Sequence, residues 1–177
     1  ASECGRATNS SWHGSHVAGT MAAASNNASG VAGVNWVSRV VSVRVLAKCG
    51  SGYDSDIIAG MRWAAGLSVP GIPANANRAR VINLSLGGDG PCTAAWQTAV
   101  NEVVAAGSVL VMAAGNENQN ASLSSPGNCA NVITVAASSR SGDRASYSNF
   151  GSAIEIAARG GIEGGAEPVD GVAEGTL

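Results

Sequence analysis

The sequence predicts an α/β fold, a doubly wound and mostly parallel sheet with helices on both faces. Two observations lead there: four short runs of β-branched and aliphatic residues that are apolar at nearly every position, and intervening stretches with helical spacing. Runs of continuous rather than alternating apolarity suit strands covered on both faces, as those of parallel sheets are. Strands separated by helices need crossovers, and right-handed crossovers build a doubly wound sheet.

The elements follow in order. His13 to Ser25 is the first helical stretch, and Val40 to Leu46 the first expected strand. Ser55 to Ala65 repeats Ile57, Ile58, Met61 and Trp63 at helical spacing, with Asp54 and Asp56 at its start as cap or favourable charge. Arg80 to Leu86 is the second strand, and Thr93 to Ala106 a helix carrying Trp96, Val100, Val103 and Val104. Val109 to Ala114 and Asn131 to Ala137 complete the strands, and the Gly- and Glu-rich stretch from Gly160 to Leu177 reads as a loop or frayed end. Ligands of open α/β sheets bind beyond the carboxyl ends of the strands, which singles out three loops: Ala47 to Asp54, Ser85 to Pro91, and Gly115 to Cys129.

Composition narrows the function classes. With 177 residues, 45% hydrophobic and 12% charged, the chain suits one compact domain rather than disorder, and no linker divides it. A net charge of −2 without a basic stripe excludes nucleic acid as an expected partner. No apolar run approaches the roughly 18 to 20 residues of a membrane span, so no membrane partner is expected. The first residue is Ala with no basic-then-apolar segment after it, so the text is expected to begin inside a mature protein or a piece of one. Cys4, Cys49, Cys92 and Cys129 are even in number with no C-x-x-C pair, which favours disulfides over zinc or redox chemistry and leaves three connectivities open beside reduced core cysteines. Glycine at 24 positions, small polar loops and a single lysine, Lys48, suit an exported bacterial protein.

Four segments carry chemistry. His13-Gly14-Ser15-His16-Val17-Ala18-Gly19-Thr20 places two histidines at i and i+3; zinc hydrolases with H-E-x-x-H need i, i+4 and a glutamate, where this chain has Gly14. Taken alone, the pair reads as structural histidines at a helix start. Ala113-Ala114-Gly115-Asn116-Glu117 follows a strand and by itself is a turn of αL-tolerant residues. Val81-Ile82-Asn83-Leu84-Ser85-Leu86-Gly87-Gly88 is a strand ending in glycines, and Val45-Leu46-Ala47-Lys48-Cys49-Gly50-Ser51-Gly52 a strand running into a Gly-rich turn.

Together these segments resemble the subtilase family of serine peptidases. The octapeptide at His13 is similar almost letter for letter to the family's H-G-[ST]-H-V-A-G-T, the second segment to its A-A-G-N, the third to its N-M-S-L-G-G, and the fourth to its substrate-edge strand and loop. The resemblance runs from about Thr8 to Ala157 and implies a subtilisin-like sheet, of which residues 1–177 would be the central, incomplete part. It implies that His13 is the catalytic histidine, with His16 the structural second one. A helix N-terminus favours the neutral imidazole that can accept a proton. It implies that Asn116 donates to the oxyanion of the tetrahedral intermediate. Ser85, Leu86 and Gly87 would pair with substrate backbone and wall the S1 pocket, opposite Ala113, Ala114 and Gly115, while Gly50, Ser51 and Gly52 bind the other substrate edge. Among subtilases with cysteine-bearing inserts, the pattern implies Cys4–Cys49 and Cys92–Cys129.

The pattern also departs from the family. A subtilase triad runs Asp, His, Ser, yet only Glu3 is acidic before His13 and it stands in no D-[ST]-G context. No G-T-S-M-A occurs: Ser138, Ser139 and Ser146 open no helix after Gly-Thr, Arg159 stands where the A-P-G stretch has Pro, and Glu174 precedes Gly-Thr where a small polar residue is usual. The expectation is a piece of a longer chain whose triad Asp and Ser lie outside it and which by itself hydrolyses nothing. The rival is a non-catalytic peptide-binding pseudoprotease; a nucleotide-binding domain lacks its G-x-G-x-x-G or P-loop.

The resemblance further implies a peptide or protein substrate, an extracellular, bacterial, monomeric parent, and no cofactor for chemistry. A structural calcium would sit at the Ser25-Asn26-Asn27-Ala28-Ser29-Gly30-Val31 turn, which also reads as a solvated Asn-rich turn; its ligands stay unassigned.

Overall fold

The computed structural model describes Cys4 and residues 9–160. Glu3 and the Gly- and Glu-rich stretch after Gly160, Glu174 included, lie outside the described residues. The chain divides after Arg78 into two compact units.

The first unit holds α1 (His13–Ala22) and α2 (Asp54–Ala64). Helix α1 begins after Trp12, whose φ of 56° is left-handed, and ends three residues short of the expected Ser25 because the chain folds back on it. Val34 and Asn35 donate to the carbonyls of Thr20 and Met21, both at 2.9 Å, so helix-end acceptors that would face water are satisfied by the returning strand of chain. Gly33 allows this approach: a Cβ there would stand 2.7 Å from the Ala22 backbone.

The strand expected over Val40–Leu46 is not formed. Among the described residues this segment joins no ladder, and Val43 and Val45 lie instead against Gly60 of α2, where an added Cβ would meet Val45 Cγ1 at 2.5 Å. Apolar composition provides the means to be buried, whereas a strand also needs a neighbour to exchange hydrogen bonds with. Helix α2 buries Ile57, Ile58, Met61 and Ala64. Its first turn holds Asp54 and Asp56 and its last Arg62, but Tyr53 occupies the cap and no side chain caps it, so the acids act by charge alone. Asn75 Nδ2 donates to the terminal carbonyls of Trp63 and Ala64 at 3.1 and 3.3 Å.

The second unit is a four-stranded, wholly parallel sheet in the order β1 (Val81–Leu84), β3 (Val109–Ala113), β5 (Ile133–Ser138), β6 (Ile156–Arg159). A two-stranded antiparallel ribbon, β2 (Gly88–Asp89) with β4 (Ser124–Ser125), stands beside it in the chain's loops. Helix α3 (Ala94–Ala105) starts at Thr93, whose Oγ1 accepts from Trp96 N at 3.3 Å, an N-cap of the usual kind. It packs on β3, and Trp96, Ala99, Val100 and Val103 are buried together with Ile82, Leu84, Leu110 and Met112. Burial alternates along β1 and β3, so Val81 and Val109 point away from this core and are exposed. Strand β6 was not expected as a strand: it is an exposed edge, Ile156-Ala157-Ala158-Arg159, whose apolar stretch is too short to announce it.

Parallel neighbours need long crossovers, and helices usually supply them. Only β1 to β3 crosses through an α-helix here. The links 114–132 and 139–155 are irregular apart from β4 and a single 3₁₀ turn at Ala121–Leu123, so their backbone groups must find partners elsewhere. Side chains provide many: Asn128 Nδ2 donates to Gly90 O and Ser122 O, both at 2.9 Å, and Arg144 Nη1 donates to Ser148 O at 2.5 Å while its guanidinium lies 5.0 Å from the Phe150 ring centroid. Cys92–Cys129, with Cα atoms 5.2 Å apart, ties the loop before α3 to the loop before β5, the pairing that the resemblance implies. Replacing both cysteines by serine is expected to lower unfolding free energy by about 2–4 kcal/mol, read from urea denaturation of the oxidised protein and the variant.

Candidate active site

In the first unit, His13 is the first residue of α1 and is half-buried, whereas His16 is exposed rather than packed. The chain entering α1 is joined to the Gly50–Gly52 loop twice: Ser11 N donates to Lys48 O at 2.8 Å, and Cys4 is bonded to Cys49 with Cα atoms 5.8 Å apart. The loop is a tight turn closed by Ala47 N to Ser51 O at 2.8 Å and Gly50 N to Ala47 O at 2.9 Å. Gly50 has φ +85°, and a Cβ on Gly52 would stand 2.5 Å from Val45 O, so neither position accepts a side chain without strain. His13 and Gly50, Ser51 and Gly52 are thus held on one connected framework.

In the second unit, Leu84 is paired with Met112, so Ser85-Leu86-Gly87 and Ala113-Ala114-Gly115 leave the carboxyl ends of adjacent parallel strands. Their separation at the start is that of neighbouring strands, roughly 4.8 Å, and in open α/β sheets ligands bind beyond such strand ends. The segment 124–127 joins the two walls. Gly87 lies against Ser125, whose O would be 3.0 Å from an added Cβ, and Gly127 lies against Ala113 O, 2.7 Å from one. Thr134 Oγ1 donates to Gly127 O at 2.5 Å. Gly87 itself is exposed, leaving a backbone edge without a side chain to obstruct an extended ligand.

Asn116 projects from the end of the second wall and is exposed. The groups on either side of it are bonded to Asn149, which is 0% exposed. Its Nδ2 donates to Ala114 O at 2.9 Å and Glu117 Oε2 at 2.7 Å, with Ser124 Oγ at 3.1 Å; its Oδ1 accepts from Glu117 N at 3.1 Å and Gln119 N at 2.9 Å. The backbone N of Asn149 donates to Gly115 O at 3.0 Å. Gly115 has φ +103°, and an added Cβ would run into Asn149 Nδ2 and Glu117 Oε2. Gly115→Ala is therefore expected to destabilise the protein by about 2 kcal/mol or more, seen as a fall in the urea midpoint.

Residues 4–175 match the subtilase family across this arrangement. The chain belongs to the subtilase family. An extracellular protease of Xanthomonas campestris pv. campestris is 56% identical over 163 residues, covering 90% of this chain and 28% of that protein. An extracellular basic protease of Dichelobacter nodosus is 52% identical over 151 residues, covering 85% of this chain and 25% of that one. A solved protease of Pseudoalteromonas arctica superposes with a TM-score of 0.87 at 55% identity, covering 94% of this chain and 50% of its own. The chain spans about a quarter of the length of these two curated relatives.

Within this subtilase chain, the motif residues fall into two clusters, one per unit: His13 with Gly50–Gly52, and Asn116 with Ser85–Gly87 and Ala113–Gly115. Sequence reading missed Asn149. An asparagine in Tyr147-Ser148-Asn149-Phe150 carries no periodic or spacing signal, and only the 32-residue return of the chain to Glu117 reveals its role.

The Ser25–Val31 turn has left-handed Asn26, Ala28 and Gly30, and Asn27 Oδ1 already accepts from Ser29 N at 3.1 Å. It contains no carboxylate, and among the described residues no group of three or more His, Cys, Asp or Glu could hold a metal. Within the turn itself, only neutral oxygens are available to a calcium ion. Among the described residues, no helix is long and apolar enough to cross a membrane.

Proposed function

We propose that this chain is part of a secreted serine endopeptidase that cleaves peptide bonds through an acyl-enzyme. The observation that carries the proposal is the pair of glycine-bearing loops, Ser85–Gly87 and Ala113–Gly115, at the carboxyl ends of two adjacent parallel strands, with Asn116 exposed at the end of one. An extended peptide would pair its backbone with Ser85–Gly87, and Gly50–Gly52 offers a further backbone edge in the first unit.

In this reading, a serine hydroxyl from outside these residues attacks the scissile carbonyl while His13 takes its proton. An aspartate, also from outside, orients the imidazole. The carbonyl oxygen gains negative charge, and the Asn116 amide donates to it more strongly than to the neutral carbonyl, which lowers the barrier rather than merely tightening binding. His13 then gives its proton to the leaving amine, and water hydrolyses the ester with His13 again as base. The chain by itself would hydrolyse nothing. Two disulfides and the names of the relatives support an extracellular setting. The parent would act as a monomer on peptide or protein, without a cofactor in the chemistry; calcium at Ser25–Val31 would at most stiffen the turn.

The experiment is to express the full-length protein and treat it with a chromogenic peptide amide and a serine-directed fluorophosphonate. Hydrolysis together with covalent labelling is expected. Neither hydrolysis nor labelling, with retained binding of the peptide, would establish the pseudoprotease instead.

A further inference from the structure

We propose that Asn149 is a positioning residue for the oxyanion donor, holding the peptide groups on both sides of Asn116 so that its amide faces the reacting carbonyl. The inference rests on the role proposed for Asn116. An oxyanion donor works only if it stands within about 2.7–3.1 Å of where charge develops, and it must be there before the reaction begins. Asn116 is poorly placed for such constancy by its local sequence. It is exposed, it follows Gly115 with its permissive backbone, and it lies in a crossover without an α-helix.

Asn149 supplies the missing constraint. Gly115 O, on the amino side of Asn116, accepts from Asn149 N, and Glu117 N, on the carboxyl side, donates to Asn149 Oδ1. The bonds to Ala114 O and Gln119 N extend the hold by one or two residues in each direction. One buried side chain thus spans the turn from Ala114 to Gln119. Its orientation is fixed by its partners: two N–H groups face Oδ1, while a carbonyl and a carboxylate face Nδ2, so a flipped amide would oppose like with like on both sides.

The backbone of Asn149 is itself anchored. Asn118 N donates to Tyr147 O at 2.8 Å, Phe150 N to Gln119 O at 3.0 Å, and Ala121 N to Phe150 O at 2.7 Å, so residues 147–150 lie laced alongside 118–121. Arg144 Nη1 adds a bond to Asn118 Oδ1 at 2.8 Å. These bonds tie the segment to residues 118–121, and Asn149 is the residue through which it reaches the groups on either side of Asn116.

The test is a double-mutant cycle in the full-length protein. Asn149→Ala is expected to lower kcat about ten- to a hundredfold, the scale of a misplaced catalytic group, with KM changed less than about twofold. Affinity for a peptide aldehyde, which forms a tetrahedral adduct, should fall in parallel, while affinity for an unreactive product peptide should not. In an Asn116→Ala background the further loss in kcat should be less than about twofold, because no donor remains to be misplaced. Equal losses in both backgrounds, or an unchanged kcat, overturn the inference.

If Asn149→Ala does not fold, Asn149→Asp decides. It keeps the acceptor for Glu117 N and Gln119 N but sets an oxygen against the Glu117 carboxylate, and the lowered kcat should be partly restored by adding Glu117→Gln. A double variant no better than the single one overturns the inference as well. Peptidase activity that survives His13→Ala would instead remove the functional reading beneath it, so the two failures are distinguishable.

Discussion

In the full-length protein, His13→Ala is expected to reduce kcat about 10⁶-fold while leaving KM nearly unchanged, the scale known for the catalytic histidine of subtilisin. The reason is that the imidazole appears in every proton transfer of the proposed reaction. Without it the serine must lose its proton to water, and the leaving amine must depart unprotonated. The position supports the role: His13 opens α1, is half-buried, and its entry segment is held to the Gly50–Gly52 loop by the Ser11–Lys48 hydrogen bond and the Cys4–Cys49 bond. Among the described residues α1 buries none of its own, so truncating His13 removes no core packing within this chain, and an unchanged urea midpoint of the full-length variant would show that the loss of kcat is not a loss of folding. A kcat close to that of the parent, measured on the same folded preparation, would dismiss the assignment.

Asn116→Ala should lower kcat by roughly 10²–10³, the scale known for the oxyanion donor of subtilisin, with little change in KM. The split follows from differential binding. A neutral carbonyl makes a modest hydrogen bond, an oxyanion a charge-assisted one, so removing the donor raises the transition state more than the bound substrate. Asn116 is exposed and lies outside the core, so the folded structure should survive. A shorter reach tests the geometry: Asn116→Thr offers a donor from a different place and should recover only part of the loss. A tenfold rise in KM with kcat unchanged would assign Asn116 to substrate binding instead.

Helices α2 and α3 were legible because Ile57, Ile58 and Met61, and likewise Trp96, Val100 and Val103, recur at the spacing that puts them on one buried face. Strands β1, β3 and β5 were legible from apolar runs cut by Gly, Ser and Asn. Val40–Leu46 has the same composition and yet joins no ladder among the described residues, its valines packing on Gly60 instead. Edge strand β6 was invisible for the opposite reason: Ile156, Ala157 and Ala158 are exposed and carry no burial pattern.

The candidate site divides in the same way. Local sequence alone determined the helix start at His13, the glycines that leave backbone edges open at Gly50–Gly52 and Ser85–Gly87, and the strand-to-turn step at Ala113–Asn116. Each depends on steric and conformational preferences of residues adjacent in the chain. Tertiary structure decided the Leu84–Met112 register that sets two of those edges side by side, the pairing of the four cysteines, and the burial of Asn149 against the groups on either side of Asn116. The last is the clearest case. An asparagine's four hydrogen-bonding positions are the same wherever it stands in a sequence. Only folding determines that they meet Ala114, Glu117 and Gln119 in a place closed to water, where every one must be used.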